Sequence, residues 1–232
     1  MDLNKEITSL LNEEGCDIVG FADLRSLPAD VRDNYCFGIS IGLVYSEKAI
    51  EDNRNERPQQ YYSEYSGMVQ RLPQLANLVS DFLTKKGYAS LASPTPSVVS
   101  KDLRTALPHK TVATMSGLGW IGKCATLVTK EVGSALRLTA VLTDVPLNCG
   151  TPQTISKCPP NCMICAKACP AGAVSGDNWK AGLDRDFFFN AHACSASARA
   201  RAKAMLNVDY AICGLCIAHC PYTKKGLQII RN

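Results

Sequence analysis

The sequence predicts a mixed α/β (α+β) domain over residues 1–147, followed by a smaller, cysteine-built domain over 148–232. Three observations carry this reading. The first part alternates helix-type and strand-type apolar periodicity. After Pro146 the texture changes to Cys, Pro, Gly and Ala with no strand pattern, and nine of the twelve cysteines follow that change. A length of 232 residues has room for one substantial core and a small appended domain.

In chain order, Ile7, Leu10 and Leu11 fall at helical spacing and predict a helix over 5–14, stopped by Gly15. A short apolar strand follows over 17–22. CFGISIGLVY, 36–45, is rich in aromatic and β-branched residues and predicts a buried strand in the middle of a sheet, with its two glycines allowing close backbone approaches. Tyr62, Tyr65, Val69, Leu72, Leu75, Ala76, Val79, Phe82 and Leu83 step by three and four. They predict a long helix over 59–86, with a kink at Pro73 and a C-terminal cap at Gly87. His109 and Lys110 begin a short helical segment, which Gly117, Gly119 and Gly122 break around Trp120. SALRLTAVLTD, 134–144, alternates as a strand does, with one face for the core and the other toward a pocket.

Composition excludes several classes. With 46% hydrophobic and 20% charged residues the chain is neither disordered nor fibrous, and a formal charge of +4 is too mild to argue for nucleic acid. The N-terminus lacks the apolar core and cleavage site of a signal peptide, and no apolar run reaches membrane length. A cytoplasmic location with no membrane partner is therefore expected. Thiols there stay reduced, so the cysteines read as metal ligands rather than disulfides.

Their spacing narrows the metal. Cys162-x2-Cys165-x3-Cys169-Pro170 matches the core of the bacterial ferredoxin run, and Cys213-x2-Cys216-x3-Cys220-Pro221 repeats it. In two-cluster ferredoxins the last cysteine of each run crosses to the other cluster. Applied here, Cys158, Cys162, Cys165 and Cys220 hold one [4Fe-4S] cluster, and Cys169, Cys194, Cys213 and Cys216 hold the other. Cys158 lies four positions before Cys162 where three is usual, and Cys149 is the competitor for its role. Two competing readings remain at this point: a pair of zinc sites, since C-x2-C pairs also bind zinc, and the Cys158-x3-Cys162-x2-Cys165 spacing of radical S-adenosylmethionine enzymes. Cys16, Cys36 and Cys124 have no partners in sequence and are expected to be buried small apolar residues.

The densest stretch before the cysteines is LPHKTVATMSGLGWIGK, 107–123. Three glycines in six residues suit a backbone pressed against a large flat or anionic ligand; the competing reading is a tight structural turn with Trp120 in the core. Together with TLVTKEVGSALRLTAVLTDVPL and the double cysteine run, this stretch resembles the epoxyqueuosine reductase family, whose relatives include the reductive dehalogenases. The similarity extends from DIVGFADL near the start to HCPYTKKG near the end.

The resemblance implies a nitroreductase-like domain that binds cobalamin base-off, followed by a bacterial-ferredoxin-like domain whose two [4Fe-4S] clusters relay electrons to cobalt. It implies an external low-potential electron donor of the ferredoxin or flavodoxin type and a small-molecule organic substrate. The alternative is an electron-transfer or corrinoid-reactivating protein without its own organic substrate. Lys110, Gly117, Gly119, Trp120 and Lys123 are the candidate cofactor-binding residues, and His109 and Asp102 the candidate proton donors, with Tyr61, Tyr62 and Tyr65 behind them. Enzymes of the family carry an aspartate upstream of the GLGW turn. Counting back from Gly117 places Leu103 there, with Asp102 one residue away. The chain also ends twelve residues after Cys220, without the helical tRNA-binding region of such enzymes, which makes tRNA the less favoured partner. His192 and His219 are expected to tune the cluster sulfurs, and Arg199, Arg201 and Lys203 to form a solvated helix face or to dock an acidic donor.

Overall fold

The computed structural model describes residues 2–93 and 101–230. In chain order its elements are α1 (Leu3–Glu13), β1 (Ile18–Asp23), β2 (Phe37–Val44), α2 (Glu47–Arg54), α3 (Gln59–Lys85), β3 (Ser90–Ser93), α4 (His109–Met115), β4 (Trp120–Ile121), β5 (Leu127–Val128), β6 (Leu136–Thr143), α5 (Ile164–Lys167), a 3-10 turn (Arg185–Phe187), α6 (Ala191–Leu206), α7 (Leu215–Ala218) and α8 (Pro221–Ile230). They divide into two units: Met1–Val44, Gly67–Leu118 and Arg137–Gln153 form the first, and Tyr45–Ser66, Gly119–Leu136 and Thr154–Asn232 the second.

In the first unit, α1 starts earlier than expected because the Asp2 side chain accepts from the Asn4 N–H at 3.1 Å and caps the helix. Its end is as expected. Gly15 takes φ +75°, its N–H donates to Asn12, and the Cys16 N–H donates to Leu11, a Schellman closure. The long helix closes in the same way: Gly87, at φ +87°, donates to Thr84 and Tyr88 donates to Leu83. Between these ends α3 continues through Pro73. Leu72, Leu75, Ala76, Val79 and Leu83 form its fully buried stripe, each large side chain contributing roughly 1.5–3 kcal/mol by leaving water.

The sheet of this unit has the order β1-β2-β6-β3. The strand in CFGISIGLVY is interior, as its composition predicts. β1 and β2 pair antiparallel with Ala22 opposite Gly38, and β3 pairs antiparallel with β6. Helix α4 covers one face, where Val112 and Met115 pack with Ala22, Leu24, Ala140 and Leu142. Glycine lets it come this close. A Cβ on Gly38 would stand 2.8 Å from Val112, and one on Gly20 would stand 2.6 Å from Ser116 Oγ. The expectation of a pocket on the second face of β6 is corrected over most of its length: Thr139, Val141 and Thr143 are buried there, while Arg137 is half-buried.

The second unit gathers segments that composition assigned elsewhere. Residues 45–66 and 119–136 pack with the cysteine runs, so the units do not part at one boundary near 148. Polar side chains make the joins. Asn53 Nδ2 donates to the Cys213 carbonyl at 2.9 Å and Arg54 Nε to the Ala218 carbonyl at 2.7 Å. The Ser134 N–H donates to Thr223 Oγ1 at 3.0 Å. The duplicated cysteine spacing is also a structural duplication: α5 and α7 are both four-residue helices and each begins two positions after the first cysteine of its run. Among the described residues no helix is long and apolar enough to cross a membrane.

Candidate metal centre

Each run contains a four-residue helix and its last cysteine is followed by a proline, Pro170 in the first and Pro221 in the second. The Cys162 N–H donates to the Pro159 carbonyl at 3.0 Å. Four thiols, those of Cys158, Cys162, Cys165 and Cys220, line one cavity of about 190 Å³, together with Gly122, Lys123, Cys124, Val128 and Tyr222. Three of these cysteines come from the first run and the fourth closes the second. A second set of neighbours is felt electrostatically: Cys169 and Cys213 act on the Cys194 thiol, and Cys213 and Cys194 on Cys216. Burial pushes Cys194 and Cys220 up to about 11. Without a metal both are therefore thiols, and coordination would release their protons.

Backbone donors point at these sulfurs. The Ala173 N–H donates to Cys169 Sγ at 3.4 Å. The Leu215 N–H serves Cys213, and the Tyr222 and Thr223 N–H groups, in the first turn of α8, serve Cys220. These first-turn donors have no partner within the helix, so a thiolate satisfies them. Positive charge is close as well. The Lys123 side chain is buried, and its Nζ donates to the Pro160 carbonyl at 2.7 Å beside the cavity. Arg201 was expected on a solvated face, but its side chain is only 15% exposed and pairs with Glu56. Its charge favours the Cys213 thiolate, and its Nε and Nη2 are buried without a partner in the protein.

The donor set fits clusters. Soft sulfur donors stand around a space, N–H groups are aimed at sulfur, and cationic side chains would offset part of the charge of ligating thiolates. Among the described residues no group of three or more His, Cys, Asp or Glu side chains is arranged to hold a single metal ion. Cys149, the competitor for the Cys158 role, lies in the first unit with its thiol donating to the Leu147 carbonyl at 3.3 Å. Cys16 is buried and donates to the Ile18 and Gly42 carbonyls, as a small buried residue would. Cys36 is half-buried near Arg32. Cys124 is buried, as expected, and lines the cavity beside Cys158, Cys162, Cys165 and Cys220.

At the GLGW turn, the close approach that the sequence suggests for a ligand is made by the chain itself. A Cβ on Gly117, which has φ +81°, would stand 2.8 Å from the Thr151 carbonyl oxygen, and one on Gly119 would stand 2.2 Å from that of Val128. Trp120 is 2% exposed and packs edge-on against Tyr222 with ring centroids 5.1 Å apart. The structural-turn reading is the one these contacts support for Gly117, Gly119 and Trp120. Lys110 is half-buried on α4. His109, the first residue of α4, uses Nδ1 to donate to the Leu138 carbonyl at 3.0 Å, which ties the helix to β6. Asp102 is exposed upstream of it.

Tyr61 stacks on Tyr45 with centroids 4.5 Å apart and presses against Gly214 in the second run, while Tyr65 meets Tyr210. Tyr62 is half-buried. His219 donates from Nδ1 to the Leu215 carbonyl at 3.0 Å, within its own run. Asn53, Arg54, Arg201 and Tyr222 carried no metal-type signal in sequence, since each acts through a contact made far along the chain.

No protein-family model matches the chain. An epoxyqueuosine reductase of Lactococcus garvieae is 26% identical over 194 residues, which cover 80% of this chain and 51% of that protein. The chain spans about half the length of the curated epoxyqueuosine reductases it matches over most of itself. An epoxyqueuosine reductase solved with a modified tRNA-Tyr stem loop has a similar fold, with a TM-score of 0.61, 20% identity, and coverage of 96% of this chain and 65% of that one. A reductive dehalogenase, described with a mechanism for B12-dependent dehalogenation, gives a TM-score of 0.67 at 15% identity over 97% of this chain and 33% of that one.

Proposed function

We propose, from the premise that the chain is epoxyqueuosine reductase-like, that it is an iron–sulfur oxidoreductase. In this reading Cys158, Cys162, Cys165 and Cys220 hold one [4Fe-4S] cluster and Cys169, Cys194, Cys213 and Cys216 the other. The clusters take single electrons from an external low-potential donor of the ferredoxin or flavodoxin type and deliver them to an acceptor that reduces a small organic substrate. The observation that carries it is the shared cavity of Cys220 with the three cysteines of the first run. A mixture of two runs around one space is the arrangement two-cluster ferredoxins use, whereas two independent zinc pairs have no need of it.

Bound there, the clusters would supply one-electron storage at a potential set by hydrogen bonds, charge and burial. The chain's own residues would do the tuning. N–H groups of Ala173, Leu215, Tyr222 and Thr223 lower the cost of added negative charge on sulfur. Lys123 and Arg201 act in the same direction through charge, and burial of the thiols keeps water from the metal.

The acceptor in this proposal is cobalamin, on the strength of the likeness to a B12-dependent dehalogenase alone. Lys110, Gly117, Gly119, Trp120 and Lys123 stay the candidates for holding it, although a Cβ on either glycine would meet the protein's own backbone and Trp120 is in the core. His109 and Asp102 stay candidate proton donors. A tRNA is the alternative substrate, because a similar structure holds a tRNA stem loop.

Anaerobic purification with iron, zinc and sulfide analysis tests the proposal. About eight irons and eight sulfides per chain are expected, and zinc as the main metal would overturn it. Titration with hydroxocobalamin then decides the acceptor. No spectral change at high micromolar cofactor would leave an electron-transfer protein without its own organic substrate.

A further inference from the structure

Within the second unit, the loop between Cys158 and Cys162 is one residue longer than a ferredoxin run usually has, and it reads Pro159, Pro160, Asn161. Proline has no N–H, so two of these three residues have none to offer a sulfur. A lysine stands at this loop instead. Lys123, between β4 and β5, is 2% exposed and lines the cavity with Cys158, Cys162, Cys165 and Cys220. Its Nζ donates to the Pro160 carbonyl at 2.7 Å. The turn that carries it runs close to the first ligand: a Cβ on Gly122 would stand 3.7 Å from Cys158 Sγ. An ammonium has three N–H donors, and the bond to Pro160 takes one. Among the described residues no carboxylate pairs with Lys123, and no Asp or Glu lines the cavity. The other lysine of the lining, Lys225, is exposed. Arg201, also largely buried in this unit, has its charge offset by Glu56.

Resting on the cluster reading above, we infer that Lys123 is a positioning residue for the cluster of Cys158, Cys162, Cys165 and Cys220. It holds loop 159–161 through the Pro160 carbonyl and supplies the counter-charge that makes this the cluster of higher reduction potential. A buried ammonium without a carboxylate is costly unless negative charge stands close, and four ligating thiolates around one cavity provide that charge. Reduction adds one electron from the external donor, no bond breaks and no proton moves. A fixed positive charge favours the more negative, reduced state and so raises the potential. The other set has no such unpaired ammonium, and neutral backbone N–H groups act more weakly than a charged donor. An electron that enters at the cluster of Cys169, Cys194, Cys213 and Cys216 therefore runs downhill to the one beside Lys123. This assignment takes Lys123 out of the residues named for cobalamin.

The test compares the wild-type chain with Lys123→Gln, which keeps an N–H donor for Pro160 but no charge, and Lys123→Arg, which keeps the charge. The proteins are purified anaerobically and compared by iron and sulfide content and by dithionite titration followed by electron paramagnetic resonance. All three should hold about eight irons. Lys123→Gln should lower the higher potential by about tenfold in the reduction equilibrium, about 59 mV for a one-electron couple, and leave the lower one in place. Lys123→Arg should recover most of that shift. Potentials equal to wild type in Lys123→Gln would overturn the inference, as would a fall in the lower potential alone or the full shift persisting in Lys123→Arg. If Lys123→Gln does not fold or does not load iron, Cys220→Ala decides: without the cluster beside Lys123 only the lower wild-type potential should remain, and survival of the higher one would overturn the inference. Wild-type protein without iron would remove the cluster reading and this inference together; iron with unmoved potentials removes this inference alone.

Discussion

Tyr222 Oη donates to the Lys157 carbonyl at 2.9 Å and so ties the start of α8 to the residue before Cys158. The bond joins the end of the second cysteine run to the beginning of the first. It accounts for how Cys220, two residues before Tyr222, comes to share a cavity with Cys158.

Tyr222→Phe should keep the ring contact with Trp120 and lose only this bond. A single hydrogen bond of this kind is worth about 0.5–1.5 kcal/mol. The melting temperature should fall by about 2–4 °C per kcal/mol for a chain of this size, with iron content unchanged. Anaerobic calorimetry of the two proteins measures it, and an unchanged melting temperature would show the bond contributes nothing.

Cys220→Ala should remove about four of eight irons and spare the set of Cys169, Cys194, Cys213 and Cys216. Cys169→Ala should do the reverse. Because the two variants lose different clusters, their spectra should differ although their iron counts agree. Identical residual spectra would mean the crossed assignment is wrong.

Gly119→Val places a Cβ 2.2 Å from a backbone oxygen that has little freedom to move. Overpacking of this kind costs roughly 1–3 kcal/mol or more. The β4–β5 hairpin lines the cavity through Gly122 and Val128, so stability and iron content should fall together. Gly67→Ala is the control. It lies in α3 with nothing within 4 Å of its Cβ position, and the substitution should stabilise by about 0.5–1 kcal/mol. Chemical denaturation of both variants checks the pair.

Asn53→Ala should destabilise the second run. Asn53 is fully buried, and its amide satisfies the Cys213 carbonyl. Leaving that carbonyl unpaired costs about 1–3 kcal/mol. Hydrogen exchange at residues 213–218 should quicken relative to that in β2, and equal protection in wild type and variant would count against the role given to Asn53.

Local pattern was enough for α1, α3 and the central strand β2, because each carries its own periodicity and its own stop signal. Gly15 and Gly87 end their helices through bonds made within a few residues. The cysteine repeat was legible for the same reason: thiolate spacing within a run is local geometry, and α5 and α7 fall at matching offsets. What surrounds those thiols depends on contacts between residues far apart in sequence. Cys124, 41 residues before Cys165, looked like an isolated small apolar residue, and the glycines of the GLGW turn read either as room for a ligand or as a tight structural turn. Only the folded chain placed Cys124 in the cavity with Cys158, Cys162, Cys165 and Cys220, and brought the backbone of Thr151 to Gly117 and that of Val128 to Gly119. Periodicity and spacing report what a segment does to itself; which distant segment covers it is decided by burial and by pairing of polar groups, which exist only once the chain has folded.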